Sequence, residues 1–334
     1  MFQIPTNFVV ATELESQVLN FLADWHSLEG TIQVKTSGST GTPKEIELSK
    51  QGMLFSAQNT IQFFSLTANS TALLCLPLST IGGKMMLVRA LQSSMSVYIQ
   101  TPTANPLKSF SFPIDFIAIT PMQLKVMLDE SESELRKIRS ILVGGGPISS
   151  DLELQLVEKE ITVYHSYGMT ETASHVALRK VGYGGNEYFN SLPGIHFSVN
   201  ENQALQIHFT ALQSEIIQTT DRVELMSETK FRWLGRTDFV INSGGVKIHP
   251  EEIESLLAKQ IPIPFFISSV PDQTLGERVV LFVEGVESIS LDFEIDFPKY
   301  GRPKEVLFLP KFQYTQSGKI DRIVTRKHYL DHKR

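Results

Sequence analysis

The sequence predicts an α/β fold in two parts. Residues 1–235 form a large N-terminal domain with mainly parallel sheets and helices plus an antiparallel β portion, and residues 236–334 form a small α+β C-terminal domain. Three observations predict it. Short apolar runs alternate with helix-period segments from Thr31 to Tyr164, the pattern of βαβ units. From Ile195 to Leu234 the runs become short and alternating with polar breaks, as in antiparallel strands. After Gly235 a fresh mixture of helix and strand signals begins, which places the boundary at Gly235 to Asp238. A length of 334 residues accommodates two such domains at roughly 150 residues each.

The elements follow in order. Leu14, Val18, Leu19, Leu22 and Trp25 repeat at helical spacing, so Thr12 to Leu28 reads as an amphipathic helix. Thr31 to Thr36 alternates like a strand and runs into a loop of Ser, Gly and Thr ending at Pro43-Lys44. Ser49 caps a helix through Phe64. Ala72 to Leu76 is a buried strand and Lys84 to Leu91 a helix. Asp115 to Ile119 is the next strand; Thr120-Pro121 then supplies a cap and a proline at the first helical position. Ser140 to Val143 is a strand ending at Gly144-Gly145-Gly146-Pro147, with helix Ser150 to Glu158 and strand Ile161 to Tyr164 behind it. In the C-terminal part, Pro250 opens helix Glu251 to Leu257, and strands lie near Phe265 to Val270 and Val279 to Val283.

Composition removes several classes of function. The chain is 42% hydrophobic and 20% charged, with mean hydropathy −0.03, which excludes disordered, collagen-like and coiled-coil chains. A net charge of −6 provides no global field for nucleic acid or anionic membranes. The one cysteine, Cys75, can form no internal disulfide and lies in an apolar run, so it reads as a core residue. No run approaches the roughly 18 apolar residues of a membrane span. The first basic residue is Lys35, so no charged segment precedes an apolar stretch, and the expected location is cytoplasmic. A homo-oligomer is compatible with this composition.

Four segments carry chemistry. Thr36-Ser37-Gly38-Ser39-Thr40-Gly41-Thr42-Pro43-Lys44 combines glycines that admit an anion to the backbone, hydroxyl donors and a lysine. It lacks the Walker A spacing, and a flexible surface turn is the other reading. Tyr164-His165-Ser166-Tyr167-Gly168-Met169-Thr170-Glu171-Thr172 follows a buried strand, at the edge where parallel sheets bind ligands. There an aromatic ring can stack on a base, Thr170 can donate to phosphate and Glu171 can hold Mg2+; a loop with a capping Thr-Glu pair is the plainer alternative. The third segment is Gly235-Arg236-Thr237-Asp238 with Asn242-Ser243-Gly244-Gly245-Val246-Lys247-Ile248 and Pro250-Glu251-Glu252-Ile253-Glu254, and the fourth is Thr315-Gln316-Ser317-Gly318-Lys319-Ile320-Asp321-Arg322. Each alone fits a polar turn.

Together and in this order, from Val34 to Arg322, they resemble the adenylate-forming superfamily of acyl-CoA synthetases, adenylation domains and luciferases. The resemblance implies ATP, Mg2+ and coenzyme A as cofactors and a carboxylic acid as substrate. The acid attacks the α-phosphorus to give acyl-AMP and pyrophosphate, and a thiol then displaces AMP. By the same resemblance, Thr36, Ser37, Gly38, Ser39, Thr40, Gly41 and Lys44 surround the β- and γ-phosphates, while Gly144, Gly145, Gly146, Pro147, Tyr167 and Gly168 frame the adenine. Thr170 contacts phosphate, Glu171 supports the metal, Asp221 takes the ribose hydroxyls and Arg236 the nucleotide. Lys319 matches a catalytic lysine that stabilises charge on the five-coordinate phosphorus. The small domain is expected to be mobile: it rotates near Asp238, withdrawing Lys319 and bringing Gly244-Gly245 to the thiol's path.

The segment Leu76-Pro77-Leu78-Ser79-Thr80-Ile81-Gly82-Gly83-Lys84-Met85-Met86-Leu87-Val88-Arg89-Ala90 narrows the resemblance, as does Tyr167-Gly168-Met169-Thr170-Glu171-Thr172-Ala173-Ser174-His175. Both look like the o-succinylbenzoate–CoA ligases of menaquinone synthesis. That substrate, 2-succinylbenzoate, has two carboxylates, so the one not activated needs a partner. Lys84, behind two glycines at a helix start, is the first candidate, with Arg89 and His175 as further ones. Another acid–CoA ligase, a carrier-loading adenylating enzyme and a nucleotide-binding homologue without turnover are the competing readings. The sequence departs from the superfamily pattern at Thr220, where a Gly is usual, and at Gln313-Tyr314, where a Pro and a basic residue are usual. The common histidine after Leu76-Pro77-Leu78 is also absent, and the phosphate loop begins as early as Thr36, where members of the superfamily carry a longer preceding portion.

The lysine assignment predicts a split phenotype. Lys319→Ala abolishes acyl-AMP formation, measured as pyrophosphate release, yet largely spares thioester formation from supplied acyl-AMP. Equal loss of both half-reactions refutes it.

Overall fold

A computed structural model describes residues 3–35, 45–108, 110–209, 216–258, 260–261, 263–285, 295–298, 300–315 and 320–332. The chain opens with β1 (Phe8–Val10), a short turn of 3-10 helix and α1 (Glu15–His26). Next come β2 (Thr31–Lys35) and β3 (Glu45–Ser49), which pair antiparallel with Lys35 opposite Glu45. Residues 36–44, between them, lie outside the described residues, so the expected phosphate loop is flanked by a defined hairpin. Ser49 ends β3 and caps α2 (Lys50–Phe64), its hydroxyl accepting from the Gly52 amide at 3.0 Å.

The βα alternation continues through β4 (Thr71–Leu74), α3 (Ile81–Ser93), β5 (Ser96–Ile99), β6 (Phe116–Ile119) and α4 (Pro121–Glu130). It ends with α5 (Glu132–Leu135), β7 (Ser140–Val143), α6 (Ser150–Glu158) and β8 (Thr162–Met169). Thr120 and Gln123 form a reciprocal capping box at α4, with proline inside it. Thereafter strands follow one another: β9 (Ser174–Gly182), β10 (Phe189–Ser191), β11 (Ile195–Val199), β12 (Ala204–Phe209), β13 (Ile216–Ser227) and β14 (Lys230–Arg236).

Among the described residues these strands build one 12-stranded sheet, ordered β1-β5-β4-β6-β7-β8-β9-β10-β14-β13-β12-β11. It is parallel from β1 to β8 and antiparallel from β8 onward. The two portions expected from the sequence are thus halves of one continuous sheet. Alternation along the strands splits the core in two. Leu74, Phe116, Ala118 and Leu142 pack with α1, α2 and α3, while Leu73, Ile117, Ile119, Ile141 and Val143 pack with α4 and α6. Cys75 is fully enclosed and burial pushes its thiol up to about 12, in keeping with a core residue. The parallel strands all end on one edge, where the turns after β6, β7 and β8 gather.

A second sheet follows a turn of 3-10 helix at Thr237–Phe239. Its elements are β15 (Ile241–Ser243), β16 (Val246–Ile248), α7 (Pro250–Leu257), β17 (Phe265–Asp272), β18 (Gly276–Glu284), β19 (Glu305–Leu309) and α8 (Arg322–His332). The order β16-β15-β18-β17 is antiparallel, with β19 parallel to β18, and α7 contributes Ile253 and Leu257 to a core of its own. Among the described residues no helix is long and apolar enough to cross a membrane.

The two sheets meet where α7 abuts β13 and β14. Arg222 donates to Glu252 at 3.1 Å, and the Glu251 carboxylate lies so near Gly235 that a Cβ there would sit 2.7 Å from Oε2. Glu251 is buried and its Oε2 has no hydrogen-bond partner among the described residues. Arg322 approaches it only to 3.8 Å and binds Glu254 at 2.8 Å instead. Burial therefore raises the Glu251 carboxyl to about 7, against the opposing pull of Arg322.

The sign of the pH effect follows. The unfolded chain releases this proton near the ordinary Glu value of about 4.3, and the folded chain keeps it to about 7. Stability is therefore fully present below the lower value and falls as pH rises through the upper one, by on the order of 3 kcal/mol. Glu251→Gln should flatten the decline of the thermal midpoint between pH 5 and 7.5. A variant with the wild-type slope would assign that decline elsewhere.

Candidate active site

The site assembles where the sheet changes from parallel to antiparallel. Tyr167, Gly168 and Met169 lie on β8 itself; the sequence had ended that strand at Tyr164, because the polar residues after it carry no apolar run. The extension exists because β9 pairs along it, from Thr162–Gly182 to Met169–Ser174. A bulge interrupts the register between Tyr167 and Gly168. Gly168 is needed there for close approach: a Cβ would lie 2.3 Å from the Ser174 carbonyl oxygen.

Tyr167 is held firmly. Its hydroxyl donates to Asp221 Oδ2 at 2.7 Å, and Trp233 Nε1 donates to Asp221 Oδ1 at 3.1 Å. Phe231 and Phe189 meet its ring edge to face at 5.0 and 5.8 Å. Burial first, and then Asp221, hold the phenol well above its ordinary value, so it remains a donor. Asp221 on β13 stands opposite Arg236 on β14. Each oxygen of a carboxylate can accept more than one hydrogen bond, so Asp221 keeps capacity for a ligand's hydroxyls. Arg236 reaches Asp238 with both Nε and Nη2, at 2.9 and 2.7 Å.

The glycine loop after β7 is tied to the same strand. His165 Nε2 lies 3.0 Å from the Gly146 carbonyl, and Arg179 Nη2 lies 3.3 Å from His165 Nδ1. Guanidinium only donates, so Nδ1 accepts and the proton sits on Nε2, directed at Gly146. Burial, and then Arg179, push this histidine down to about 4, so it stays neutral. Glu153 pairs with Arg179 and completes the chain. His165 stands inside the quoted motif, yet only the pairing of β8 with β9 reveals its partner.

Thr170 and Glu171 form the turn from β8 to β9, pinned by the Met169 amide donating to Thr172 Oγ1 at 3.0 Å. Glu171 is exposed, and no group of three or more metal-binding side chains exists among the described residues. A cation beside Glu171 would draw its other ligands from phosphate and water, which fits Mg2+.

The structure separates the three substrate candidates. Lys84 is half-buried and turns toward α1, its Nζ 5.7 Å from the Phe21 ring, with burial lowering its pKa and Asp24 opposing. The preceding glycines serve packing: a Cβ on Gly83 would lie 2.2 Å from the Pro77 carbonyl, and the Gly83 amide donates to Thr80. Arg89 is 1% exposed and points to the first residues of β9. Its Nε donates to Thr60 Oγ1 at 3.2 Å and its Nη2 to Ser174 Oγ at 2.9 Å. His175, 4% exposed, lies 3.2 Å from both Thr60 Oγ1 and Ser174 Oγ. No carboxylate of the described residues bonds Arg89. Burial lowers Arg89 to about 9, so it remains a cation at neutral pH, and burial and Arg89 keep His175 well below its ordinary value. Thr60 is not a candidate from the sequence, and Ser174 enters only inside a quoted motif, because single hydroxyls in a helix and at the start of a strand carry no pattern.

The remaining candidates lie apart. Gly244 and Gly245 form the turn between β15 and β16, with φ of 57° and 81°. Thr36 to Lys44 and Lys319 lie outside the described residues; Tyr314 and Ile320, on either side of Lys319, bridge antiparallel.

Comparisons with known proteins agree with this arrangement. Residues 35–199 match the family described as AMP-binding enzyme. The chain is 34% identical to the acyl-CoA synthetase (AMP-forming)/AMP-acid ligase II-like protein of Dyadobacter fermentans, over 98% of this chain and 96% of that one, with TM-score 0.64. It is 24% identical to the 2-succinylbenzoate–CoA ligase of Listeria monocytogenes, over 95% of this chain and 74% of that protein. The o-succinylbenzoate coenzyme A synthetase of Bacillus subtilis, solved with ATP and magnesium ion, is 22% identical over 88% of this chain and 69% of that one. Its TM-score is 0.74, a likeness of fold.

The Tyr167–Asp221 bond generates a prediction. Tyr167→Phe leaves a buried carboxylate short of one donor, a loss of about 1–3 kcal/mol. The ATP KM should rise several-fold while the acid KM changes little. An unchanged ATP KM removes this pair from the nucleotide site.

Proposed function

The chain belongs to the AMP-binding enzyme family of AMP-forming acyl-CoA synthetases, and from that premise we propose that it converts 2-succinylbenzoate to its coenzyme A thioester. The observation that carries the substrate is Arg89. A buried cation that meets only hydroxyls among the described residues is costly unless an anion joins it. A substrate with two carboxylates supplies one: the aromatic carboxylate pairs with Arg89, and the aliphatic one is left to react. Lys84 already faces Phe21 and Asp24 and is the poorer candidate.

The reaction proceeds in two steps. An oxygen of the aliphatic carboxylate attacks the α-phosphorus of ATP, the bond to the bridging oxygen breaks, and pyrophosphate leaves. The thiolate of coenzyme A then attacks the acyl carbon, and AMP departs with the carboxylate oxygen. Tyr167, Asp221 and Arg236 hold the nucleoside side, and the Gly146 loop, fixed through His165, encloses the base. Glu171 would hold Mg2+, which would supply positive charge to offset that of the departing pyrophosphate. Lys319 stabilises the equatorial oxygens of the transition state, and rotation at or beside Asp238 withdraws it before the second step.

A pyrophosphate-release assay tests this with 2-succinylbenzoate and with 4-oxo-4-phenylbutanoate, which lacks the aromatic carboxylate. The diacid should be strongly preferred, and coenzyme A should then be consumed; equal use of both acids refutes the substrate, and release without thioester refutes the acceptor. Arg89→Met sharpens the test. Replacing a lone buried cation by an apolar side chain is often neutral or stabilising, so the thermal midpoint should hold or rise. The diacid KM should nevertheless increase roughly 10- to 100-fold, as expected for lost hydrogen bonds to a charged group. A wild-type diacid KM in this variant frees Arg89 from the role.

A further inference from the structure

The hydrogen bonds around Arg89 close completely in only one way. Arg89 Nε and Nη2 only donate, so Thr60 Oγ1 and Ser174 Oγ each accept one hydrogen. The Thr60 hydroxyl has the Ser56 carbonyl at 3.1 Å as its acceptor. His175 Nε2 must then donate to Thr60, which leaves Nδ1 to accept from the Ser174 hydroxyl. The opposite tautomer would leave Nε2 a bare acceptor facing Thr60 Oγ1, whose one hydrogen is already given to the Ser56 carbonyl, so two lone pairs would meet at a fully buried position. Buried polar groups are almost always paired, which selects the first closure.

We propose that Thr60 is a positioning residue for the acid site. Its one hydroxyl, fully buried on α2, accepts from both Arg89 and His175 and is itself anchored on the helix backbone. It thereby fixes the roll of the guanidinium plane and keeps His175 a neutral Nε2–H imidazole, which adds no second positive charge beside Arg89. Two of the five guanidinium N–H donors are used in this frame; the remaining three meet no acceptor among the described residues. Those three are the donors turned to a carboxylate, and a planar fork of this kind matches a carboxylate in two-point contact. The proposal rests on the assignment of Arg89 to the second carboxylate. It adds that specificity for the diacid depends on a residue with no contact to it.

Thr60→Val removes the hydroxyl at constant shape, and Thr60→Ser retains it. Thr60→Val should raise the diacid KM about tenfold more than the ATP KM, and Thr60→Ser should stay within about twofold of wild type. A uniform loss in both variants, or an unchanged ratio in Thr60→Val, overturns the proposal. Long-range proton–nitrogen NMR of wild-type His175 gives a reading that does not depend on turnover or on the folding of any variant. A protonated Nε2 and bare Nδ1, with no titration from pH 6 to 8, support the frame; the Nδ1–H tautomer or an imidazolium overturns it. Failure of the parent reading looks different: wild type would then lack diacid preference altogether, and the present proposal falls with it.

Discussion

A guanidinium almost wholly removed from water, and met among the described residues by neutral oxygens alone, is the constraint on which this molecule turns. Taking a full charge out of water costs several kcal/mol, and two hydroxyls recover only part of it. Arg89 is nevertheless built in with care, between α2, α3 and the start of β9. Core packing alone would favour an apolar residue there. On the proposed reading, the missing stabilisation is what an incoming anion would provide, and the cost borne by the free protein would become affinity and selectivity for the acid. The neutral state of His175 belongs to the same logic, since a second buried charge would repel the first.

The sheet places that charge beside the rest of the chemistry. Parallel strands β4, β6, β7 and β8 deliver their turns to one edge. At β8 the sheet turns antiparallel, and the hairpin with β9 carries Tyr167, Thr170 and Glu171 on one arm and turn, and Ser174 and His175 on the other. The residues proposed for the acid and those proposed for the nucleotide therefore share one short hairpin. Behind it, β13 and β14 hold Asp221 against Tyr167 and lead within a few residues to the contact between Gly235 and Glu251. A change of pose in the second sheet would be felt first at that contact and at Arg236, which is already committed to Asp238.

Local chemistry made much of the fold legible. Ser49 and Thr120-Pro121 announce their helices by capping alone, and the buried strands announce themselves as apolar runs. Strands defined by partners were hidden. β3 sits between a sequence rich in Gly, Ser and Thr and a cap and is a strand only because β2 lies beside it, and the second half of β8 exists because β9 pairs with it. The site shows the same divide. Motifs point to Tyr167, Asp221 and Arg236 as candidates, but the choice between the candidates Lys84 and Arg89 depends on helix phase. Five residues at about 100° each put them on different faces of α3, and only packing decides which face meets β9. Two glycines before Lys84 read as an anion-binding helix start, whereas Gly83 is small because the chain crosses itself at Pro77.

The central claim is that the buried cation holds one carboxylate so that the other meets ATP. Oxygen-18 placed in a single carboxylate of 2-succinylbenzoate tests it directly, because the reacting carboxylate donates one oxygen to AMP. Label in the aliphatic carboxylate should appear once in the AMP released, and label in the aromatic carboxylate should remain wholly in the thioester product. Transfer from the aromatic carboxylate, or AMP free of label from either, would contradict the account.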